Sequence, residues 1–562
     1  MSHNSRKHQS MNVAQVAAEI LKREGVENLL TYPLNPLTET AAAIGIRPIV
    51  VRAERVGVHM ADAVSRMSSG EKVGVFCCQL GPGIENAFGA VAQAWGEGVP
   101  LVVIPGGYPR SEAWVRPNFN SGVSFQHCTK SVETINTPEM IVPALRRAFA
   151  LARNGRPGPV VVEVPHDMWN VEFPGEIDYV PSKRVRSAPD PKDIDAAAAK
   201  LIAAKHPLLY VGQGVHYAKA WDELKAVAEL LEAPVCTSLE GKSAFPETHA
   251  LSLGAGGVAM SRALAMHVTE ADTVFGIGAS FTLTSFGIKF PIKAKSFIHN
   301  STDPNEIDKA LRCDIGLVGD SKLALGMLYE ALQERLKKPR GLTAGVRSRI
   351  DEQNAPWLKE WMPRLTSDEN PLQPYRVINE LMKVADVPNT IITHDAGSPR
   401  DELSPFWKAV TPLSYIGWGK TTQLGYGLGL ALGAKLAKPD KLCINVWGDA
   451  AIGMTGMDFE TASRCGLPIM SILFNNYRMA MEDKIMAVSK ERFASTDISG
   501  NYADFAKALG GYSERVTEPG RIAGALAEGI KATQEGKAVL LEFITTTEKA
   551  YSTFQGGYTG GA

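Results

Sequence analysis

Short runs of apolar and β-branched residues recur along this chain, and they constrain its fold more than any other feature. Three of them are KVGVFCC at 72–78, PLVVIPG at 100–106 and PVVVEVP at 159–165. Glycine and proline bound such runs, and segments of helical length separate them. Strands that are apolar on both faces and alternate with helices are typical of a parallel sheet covered by helices on both sides. We therefore predict an α/β fold.

The alternation falls into three blocks, which predict three domains of similar size, each a doubly wound parallel sheet. Their predicted bounds are residues 12–175, 193–338 and 374–550. Stretches rich in proline and charge separate them, and FPGEIDYVPSKRVRSAPDPK at 173–192 is the clearer linker. A length of 562 residues is too great for one ordinary domain and agrees with about three or four.

Charge and composition exclude several classes of function. Lys and Arg number 59 and Asp and Glu 60, so a net charge of -1 gives no electrostatic reason to bind nucleic acid or an anionic membrane. No run approaches the ~18 consecutive apolar residues of a membrane span. The seven cysteines are scattered without a CxxC pair, which predicts neither a zinc site nor disulfides. Reduced thiols of this kind indicate a cytoplasmic protein.

One acidic residue and a pair of asparagines occupy two predicted strand ends in the third block. Asp449 follows the strand LCINVWG, while Asn475 and Asn476 end the next strand, IMSILFNN. Ligands of parallel sheets collect at the carboxyl ends of the strands, where these side chains should converge. Carboxylate and amide oxygens suit Mg²⁺, which completes its shell with phosphate oxygens and water. The alternative, in which Asp449 caps a helix and the asparagines form a turn, is disfavoured by their pairing at two strand ends.

The stretch GDAAIGMTGMDFETASRCGLPIMSILFNN, residues 448–476, resembles the diphosphate-binding signature of thiamine diphosphate enzymes. That signature begins with Gly-Asp-Gly and ends with Asn-Asn, and Ala450 stands here at its third position. The resemblance implies thiamine diphosphate and Mg²⁺ as cofactors. It also implies three metal ligands, namely Asp449, Asn476 and the backbone carbonyl of Arg478. The residues expected to approach the diphosphate are Gly448, Asp449, Ala450 and Ala451.

A second segment, VVRAERVGVHMADAVSR at 50–66, resembles the family segment that holds the catalytic glutamate. The resemblance places Glu54 against the aminopyrimidine ring, where its carboxyl promotes removal of the cofactor's reactive proton. A lone glutamate at a helix start more often offsets the helix dipole. The following His59, Ala61, Asp62 and Arg66 also match, which favours the catalytic role.

Other contacts with the cofactor are implied by three further matches. The turn QLGPGIEN and the loop THDAGSP resemble family segments near the thiazolium ring and the diphosphate, and GWGKTTQLGYG resembles the segment that bends the cofactor. In the bending segment, Leu424 would wedge the cofactor and the carbonyl of Thr422 would accept from its amino group. The remaining contacts implied are Gly81, Pro82, Gly83, Asn86, Gly397 and Ser398.

The resemblance covers residues 12–550 and lies nearest to the acetolactate synthase and the 2-hydroxyacyl-CoA lyase/oxalyl-CoA decarboxylase branches. It implies a homodimer or homotetramer with active sites at the subunit interface, because Glu54 and the diphosphate domain belong to different subunits in the family. NFNSGVSFQHCTKSVETI resembles a synthase stretch in which Gln126, His127 and Lys130 would face the substrate. Packing or capping is an equal alternative for His127. Lys130 would receive a substrate carboxylate.

We therefore predict a thiamine diphosphate-dependent enzyme that decarboxylates a 2-oxoacid, joins it to a second carbonyl, or does both. A lyase or decarboxylase acting on a 2-hydroxyacyl-CoA is the first alternative. A catalytically silent, nucleotide-binding regulatory homologue is the second, because LLYVGQG places Gly212 and Gly214 after a strand. The central segment GIGASFTLTSFG, residues 276–287, leaves the presence of FAD open.

Overall fold

The computed structural model describes residues 10–292, 295–483 and 485–554. The chain forms two compact units, the first ending at Val185 and the second beginning at Arg186. The first unit holds one six-stranded sheet and the second holds two. Every pair of neighbouring strands in these sheets is parallel. The prediction of three parallel α/β sheets is confirmed.

The first unit begins with a capped helix. Asn12 accepts a hydrogen bond from the backbone of Gln15 at 2.9 Å, and the Gln15 side chain accepts one from the backbone of Asn12. The strands are β1 (Asn28–Thr31), β2 (Arg47–Val50), β3 (Gly74–Cys78), β4 (Leu101–Gly107), β5 (Ser131–Thr134) and β6 (Pro159–Pro165). The helices are α1 (Val13–Arg23), α2 (Pro36–Ala43), α3 (Glu54–Met67), α4 (Pro82–Glu97), α5 (Ser121–Ser124) and α6 (Ile141–Arg153). The strand order is β2-β1-β3-β4-β6-β5. Because α3 follows β2 and α4 follows β3, both helices begin at the carboxyl edge of the sheet.

The central sheet belongs to the second unit and is covered on both faces. Its strands are β7 (Pro207–Val211), β8 (Val235–Thr237), β9 (Ser252–Ala255), β10 (Thr273–Ile277), β11 (Ser296–Ser301) and β12 (Ile315–Val318), in the order β12-β11-β10-β7-β8-β9. The helices are α7 (Pro191–Ala203), α8 (Gly214–Ala218), α9 (Trp221–Leu231), α10 (Arg262–Glu270) and α11 (Ser321–Leu336). Leu209 and Val211 of β7 join one hydrophobic core, while Leu208 and Tyr210 join another. Alternate side chains of one strand therefore serve two cores, as a doubly wound sheet requires.

The third sheet also belongs to the second unit. Its strands are β13 (Thr390–His394), β14 (Tyr415–Ile416), β15 (Leu442–Gly448), β16 (Met470–Asn475), β17 (Tyr512–Val516) and β18 (Val539–Ile544), in the order β14-β13-β15-β16-β18-β17. The helices are α12 (Thr343–Leu365), α13 (Pro374–Val384), α14 (Ser398–Leu403), α15 (Tyr426–Ala437), α16 (Asp449–Thr455), α17 (Phe459–Cys465), α18 (Ala487–Phe493), α19 (Tyr502–Ala508) and α20 (Ile522–Gln534). None of the helices in the described ranges is both long and apolar enough to cross a membrane.

Two lysines form contacts between the central domain and the domain of the third sheet. Lys242 is 1% exposed, and its ammonium contacts Glu247 at 2.5 Å and the carbonyl of Ser404 at 3.2 Å. Lys420, just after β14, forms an ion pair with Glu240 at 2.7 Å. Buried cations need such partners because burial without them is costly. The Lys420–Glu240 pair fixes the loop before α15, which carries Thr422 and Leu424, while Lys242 holds the chain just after α14.

Candidate active site

Two neighbouring strands deliver the polar residues of the candidate site to one edge of the third sheet. Gly448, the last residue of β15, lies opposite Phe474 of β16 in the parallel register. Asp449 therefore begins α16 beside the point where β16 ends at Asn475. The two side chains meet because neighbouring parallel strands end at the same edge of the sheet, and in this sequence a polar residue lies at or directly after the end of each strand.

A single backbone N–H group joins the two predicted metal-binding side chains. The N–H of Arg478 donates to Asp449 Oδ2 at 3.1 Å and to Asn476 Oδ1 at 3.0 Å. The turn between them depends on Tyr477, which has a φ of 57°. A carboxylate oxygen and an amide oxygen thus lie on either side of one N–H group, with the carbonyl of Arg478 in the same turn.

Burial changes the acidity of Asp449, which is 4% exposed. Burial raises the pKa of its carboxyl to about 6, although hydrogen bonds from the backbone of Arg478 and Ala450 oppose the rise. Loss of solvent therefore changes the pKa of Asp449 more than the hydrogen bonds do. A nearby cation would favour the ionised form and so compensate for the lost solvent.

The two adjacent asparagines have different surroundings. Asn475 is fully buried, and its amide donates to Glu542 at 2.7 Å while its oxygen accepts from the backbone of Tyr477 at 3.0 Å. Glu542 is also held by Arg515 at 3.0 Å and by the backbone of Ala503 at 2.9 Å. Asn475 therefore stabilises the sheet edge, whereas Asn476 lies in the wall of a cavity.

That cavity runs along the carboxyl edge of the third sheet. Its wall includes most of the cofactor and metal contacts predicted in the third block, namely Gly397, Ser398, Leu424, Gly448, Asp449, Ala450, Ala451, Asn476 and Arg478. Thr422 lies two residues before Leu424 and is not part of the wall. The other residues of the wall were not predicted; they are Pro374, Ala396, Pro399, Glu402, Phe474, Met479, Ala480, Met481, Glu482, Thr545 and Thr546.

Asp395 organises two loops of this cavity and was missed by the sequence reasoning. Its Oδ1 accepts from the backbone of Ala396 at 2.8 Å and of Gly425 at 2.9 Å, and its Oδ2 accepts from Gly427 at 2.9 Å. Both glycines flank the start of α15, next to Leu424. The sequence did offer a sign, because Asp395 follows β13 directly, as Asp449 follows β15.

In the first unit, Glu54 is the first residue of α3 and is 4% exposed. Asn86 donates its side-chain amide to Glu54 Oε2 at 3.0 Å. A Cβ atom added to Gly83 would come within 3.5 Å of Glu54 Oε1, so the glycine turn lies against the carboxyl. Gly81 has a φ of 61°, which favours glycine, and Pro82 then opens α4. The unit therefore brings Glu54 together with the predicted Gly-Pro-Gly turn and Asn86.

The three predicted substrate residues lie elsewhere in the first unit. Gln126 and His127 are exposed, in the turn after α5. Lys130 is half-buried just before β5, and its ammonium donates to the carbonyls of Asn154 at 2.5 Å and Arg156 at 2.8 Å. The amino ends of β5 and β6 meet there, at the edge of the sheet opposite Glu54. Lys130 thus holds the loop before β6, and its role toward a substrate stays a prediction that this position does not support.

The central glycines allow close packing of the backbone. A Cβ at Gly212 would come within 2.4 Å of the carbonyl oxygen of Gly278, and one at Gly214 within 2.6 Å of the Gly278 Cα. These glycines therefore let the ends of β7 and β10 touch. Phe281, in the segment considered for FAD, packs its ring against Tyr210 at 5.5 Å and Phe297 at 5.8 Å.

Comparison with known proteins places the chain in a family. Three family models match it in order: the N-terminal TPP binding domain of thiamine pyrophosphate enzymes over residues 11–129, the central domain over 194–328 and the C-terminal TPP binding domain over 395–543. The chain belongs to the thiamine pyrophosphate enzymes, thiamine pyrophosphate being another name for thiamine diphosphate.

Similar proteins indicate which class of thiamine diphosphate enzyme the chain belongs to. It is 30% identical to a probable acetolactate synthase large subunit of Methanocaldococcus jannaschii, over 93% of this chain and 90% of the relative. It is 29% identical to the acetolactate synthase isozyme 3 large subunit of Escherichia coli, over 94% of each chain. The chain is thus an acetolactate synthase-like, thiamine diphosphate-dependent decarboxylase or carboligase. The acyl-CoA lyase and the silent regulatory homologue are not favoured.

Proposed function

We propose that this enzyme decarboxylates a 2-oxoacid and joins the remaining acyl unit to the carbonyl of a second 2-oxoacid, as the names of its relatives indicate. The observation that carries the proposal is the pairing of Asp449 and Asn476 about the N–H of Arg478 in the wall of one cavity. The similarity to acetolactate synthase large subunits over 93% of the chain supports the substrate class.

The donor set of the cavity fits a magnesium ion held through a diphosphate. Among the described residues there is no group of three or more His, Cys, Asp or Glu side chains that could hold a metal. Mg²⁺ needs no such group, because it uses one or two carboxylates and completes its shell with phosphates and water. Asp449, the amide oxygen of Asn476 and the carbonyl of Arg478 would supply the protein ligands.

Thiamine diphosphate, when bound, supplies the electron sink for breaking and making bonds at a carbonyl carbon. The chain would hold its diphosphate along Gly397, Ser398, Gly448, Ala450 and Ala451, which all line the cavity. Small side chains suit this role because they let backbone N–H groups approach phosphate oxygens. Leu424 would support the bend of the cofactor, and the carbonyl of Thr422 would accept from its amino group.

Glu54 would hold a proton at the pyrimidine ring nitrogen and thereby control the basicity of the amino group. Its burial and its hydrogen bond from Asn86 support this role, since both fix the carboxyl in one orientation. The turn beside Glu54 would contact the cofactor through Gly81, Pro82 and Gly83. Gln126 and His127 remain the proposed substrate contacts of the first unit.

A homodimer, alone or paired into a homotetramer, is part of the proposal. Both units carry exposed large apolar side chains, which a second copy of the chain would cover. In the first unit these are Leu34, Phe88, Trp114, Val115 and Val123, and Trp114 is 81% exposed. In the second unit they are Met454, Met457, Ile485, Val488 and Phe493. A second copy of the chain that covers these faces would complete the active site.

The cellular setting and FAD are separate points of the proposal. All seven cysteines carry free thiols, which supports a reducing, cytoplasmic setting. FAD is not needed for the chemistry proposed, and its presence in the central domain is a separate question. Absorbance of the purified protein near the flavin bands tests this directly.

The proposed reaction is tested by a paired assay. With thiamine diphosphate and Mg²⁺, we expect CO₂ release from pyruvate and formation of acetolactate. We expect no cleavage of a 2-hydroxyacyl-CoA under the same conditions. Chelation of Mg²⁺ should remove the activity, and its return should restore it. Cleavage of the acyl-CoA without any CO₂ release from pyruvate would contradict the proposal.

The two adjacent asparagines allow a matched comparison. We expect Asn476→Ala to weaken the binding of thiamine diphosphate with Mg²⁺ and to change the unfolding free energy of the cofactor-free protein only slightly, since the N–H of Arg478 keeps Asp449 as an acceptor. Asn475→Ala should instead lower that free energy by about 1–3 kcal/mol, because it removes a buried partner of Glu542. Calorimetric titration and urea unfolding measure the two quantities. Equal effects of both substitutions on stability would contradict this division of roles.

A further inference from the structure

One acidic side chain in the wall of the cavity has no part in the function proposed above. Glu402 lies in α14, lines the cavity and is 2% exposed. Within the described ranges, no residue forms a hydrogen bond with its Oε2. Thr546, just beyond β18, lines the same cavity, and its hydroxyl also lacks a partner there. Two buried polar groups thus border a space meant for a ligand, and buried polar groups of this kind need a partner.

Most of the titratable groups around Glu402 are acidic or phenolic, and one of the acids, Glu548, is paired with Arg364 of α12 at 3.4 Å. On α14 the neighbour is Asp401, whose charge is matched by Arg400 at 2.7 and 2.9 Å. From α13 and the chain after β18, three more groups act on this region: Tyr375, Glu548 and Tyr551. The wall of the cavity also contains Asp449, Arg478 and Glu482. In the part of the chain that the structure describes, no lysine, arginine or histidine forms an ion pair with Glu402.

These surroundings change the pKa of Glu402. Burial, followed by the charges of Glu548 and Asp401, raises the pKa of its carboxyl well above the usual value. The raised pKa favours the protonated form of the carboxyl. It then offers an O–H donor, and an ionised carboxylate would offer only acceptors.

We propose that Glu402 binds the cofactor's diphosphate as a neutral acid, donating its O–H to a phosphate oxygen, with the hydroxyl of Thr546 as a second donor. This inference rests on the proposed function, because it needs thiamine diphosphate in this cavity. A hydrogen bond to a charged acceptor is stronger than one between neutral groups. It would satisfy both buried groups at once, and an ionised carboxylate at this position would repel the phosphate.

The proposal has a consequence for pH dependence. As the pH rises through the raised pKa, Glu402 loses its proton, and with it the donor that contacts the phosphate. Affinity for thiamine diphosphate should therefore fall toward alkaline pH. Linkage requires the reverse as well, so binding at alkaline pH should take up a proton from solution.

The experiment titrates thiamine diphosphate with Mg²⁺ into the full-length wild type, Glu402→Gln and Glu402→Leu at pH 7 and pH 9. Glutamine keeps a donor of the same shape, so we expect its affinity at pH 7 to lie within about threefold of the wild type. Leucine removes the donor, and its affinity should fall by about tenfold or more. At pH 9 the wild type should weaken while the Gln variant holds its affinity. Two buffers of different ionisation enthalpy should show proton uptake in the wild type alone.

Titration with thiamine, which lacks phosphate, is the control, and it should not distinguish the three proteins. Equal affinity of all three proteins for thiamine diphosphate would overturn the proposal. It would also be overturned if Glu402→Leu lost as much affinity for thiamine as for thiamine diphosphate. If the variants fail to unfold cooperatively, the wild-type titrations decide, and absence of proton uptake at pH 9 overturns the proposal. Failure of the proposed function would appear differently, as no binding of thiamine diphosphate by the wild type.

Discussion

We expect the substitution Glu54→Gln to lower kcat by about 10²–10⁴-fold, the range typical of a lost acid–base group. Glutamine keeps the size of the side chain and can still accept the hydrogen bond from Asn86, which is 3.0 Å long here. It cannot exchange a proton with the pyrimidine ring. The affinity for thiamine diphosphate and Mg²⁺ should therefore change little, because the diphosphate half of the site is untouched.

Steady-state turnover of pyruvate and calorimetric binding of the cofactor measure these two effects separately. Glu39→Gln provides the matched control, since Glu39 also lies in the first turn of a helix of the first unit but is exposed. That variant should keep wild-type turnover. Full turnover by Glu54→Gln would remove the proton relay from the proposed mechanism.

The sequence predicted those parts of the molecule that depend on local pattern. Apolar runs bounded by glycine and proline specified the three parallel sheets, because buried strands need apolar side chains on both faces. The same logic placed Asp449 and Asn476 at neighbouring strand ends, since the topology of a parallel sheet brings those ends together.

Contacts between distant residues could not be predicted in this way. Asn475 and Asn476 look alike in the sequence, and only the position of Glu542, 67 residues away, assigns the first of them to the sheet edge. Asp395 acts through backbone N–H groups about 30 residues later. The contacts of the Lys130 ammonium with the loop carbonyls at 154 and 156 were likewise invisible in the sequence. Each case depends on tertiary neighbours that no local motif records.

The second large effect is expected from a substitution of Asp449, one of the proposed Mg²⁺ ligands. We expect Asp449→Ala to weaken the Mg²⁺-dependent binding of thiamine diphosphate on the order of 100-fold or more, because even outer partners of metal ligands cost 10–100-fold when removed. Activity at ordinary cofactor concentrations should be lost. Calorimetric titration with and without Mg²⁺ measures the change. Asp504→Ala is a suitable control, since Asp504 lies on α19 of the same unit and is not part of the cavity wall.

Mixing the two inactive variants tests how the site is assembled. In a hybrid dimer of Glu54→Gln with Asp449→Ala, one site would contain both substitutions and the other neither, if Glu54 and Asp449 of a site come from different subunits. Random pairing makes about half of the dimers hybrid, so coexpression should restore about a quarter of the wild-type activity. Differently tagged chains allow the hybrid to be isolated, and it should then show about half. A pure hybrid without activity would mean that each chain supplies both residues of its own site.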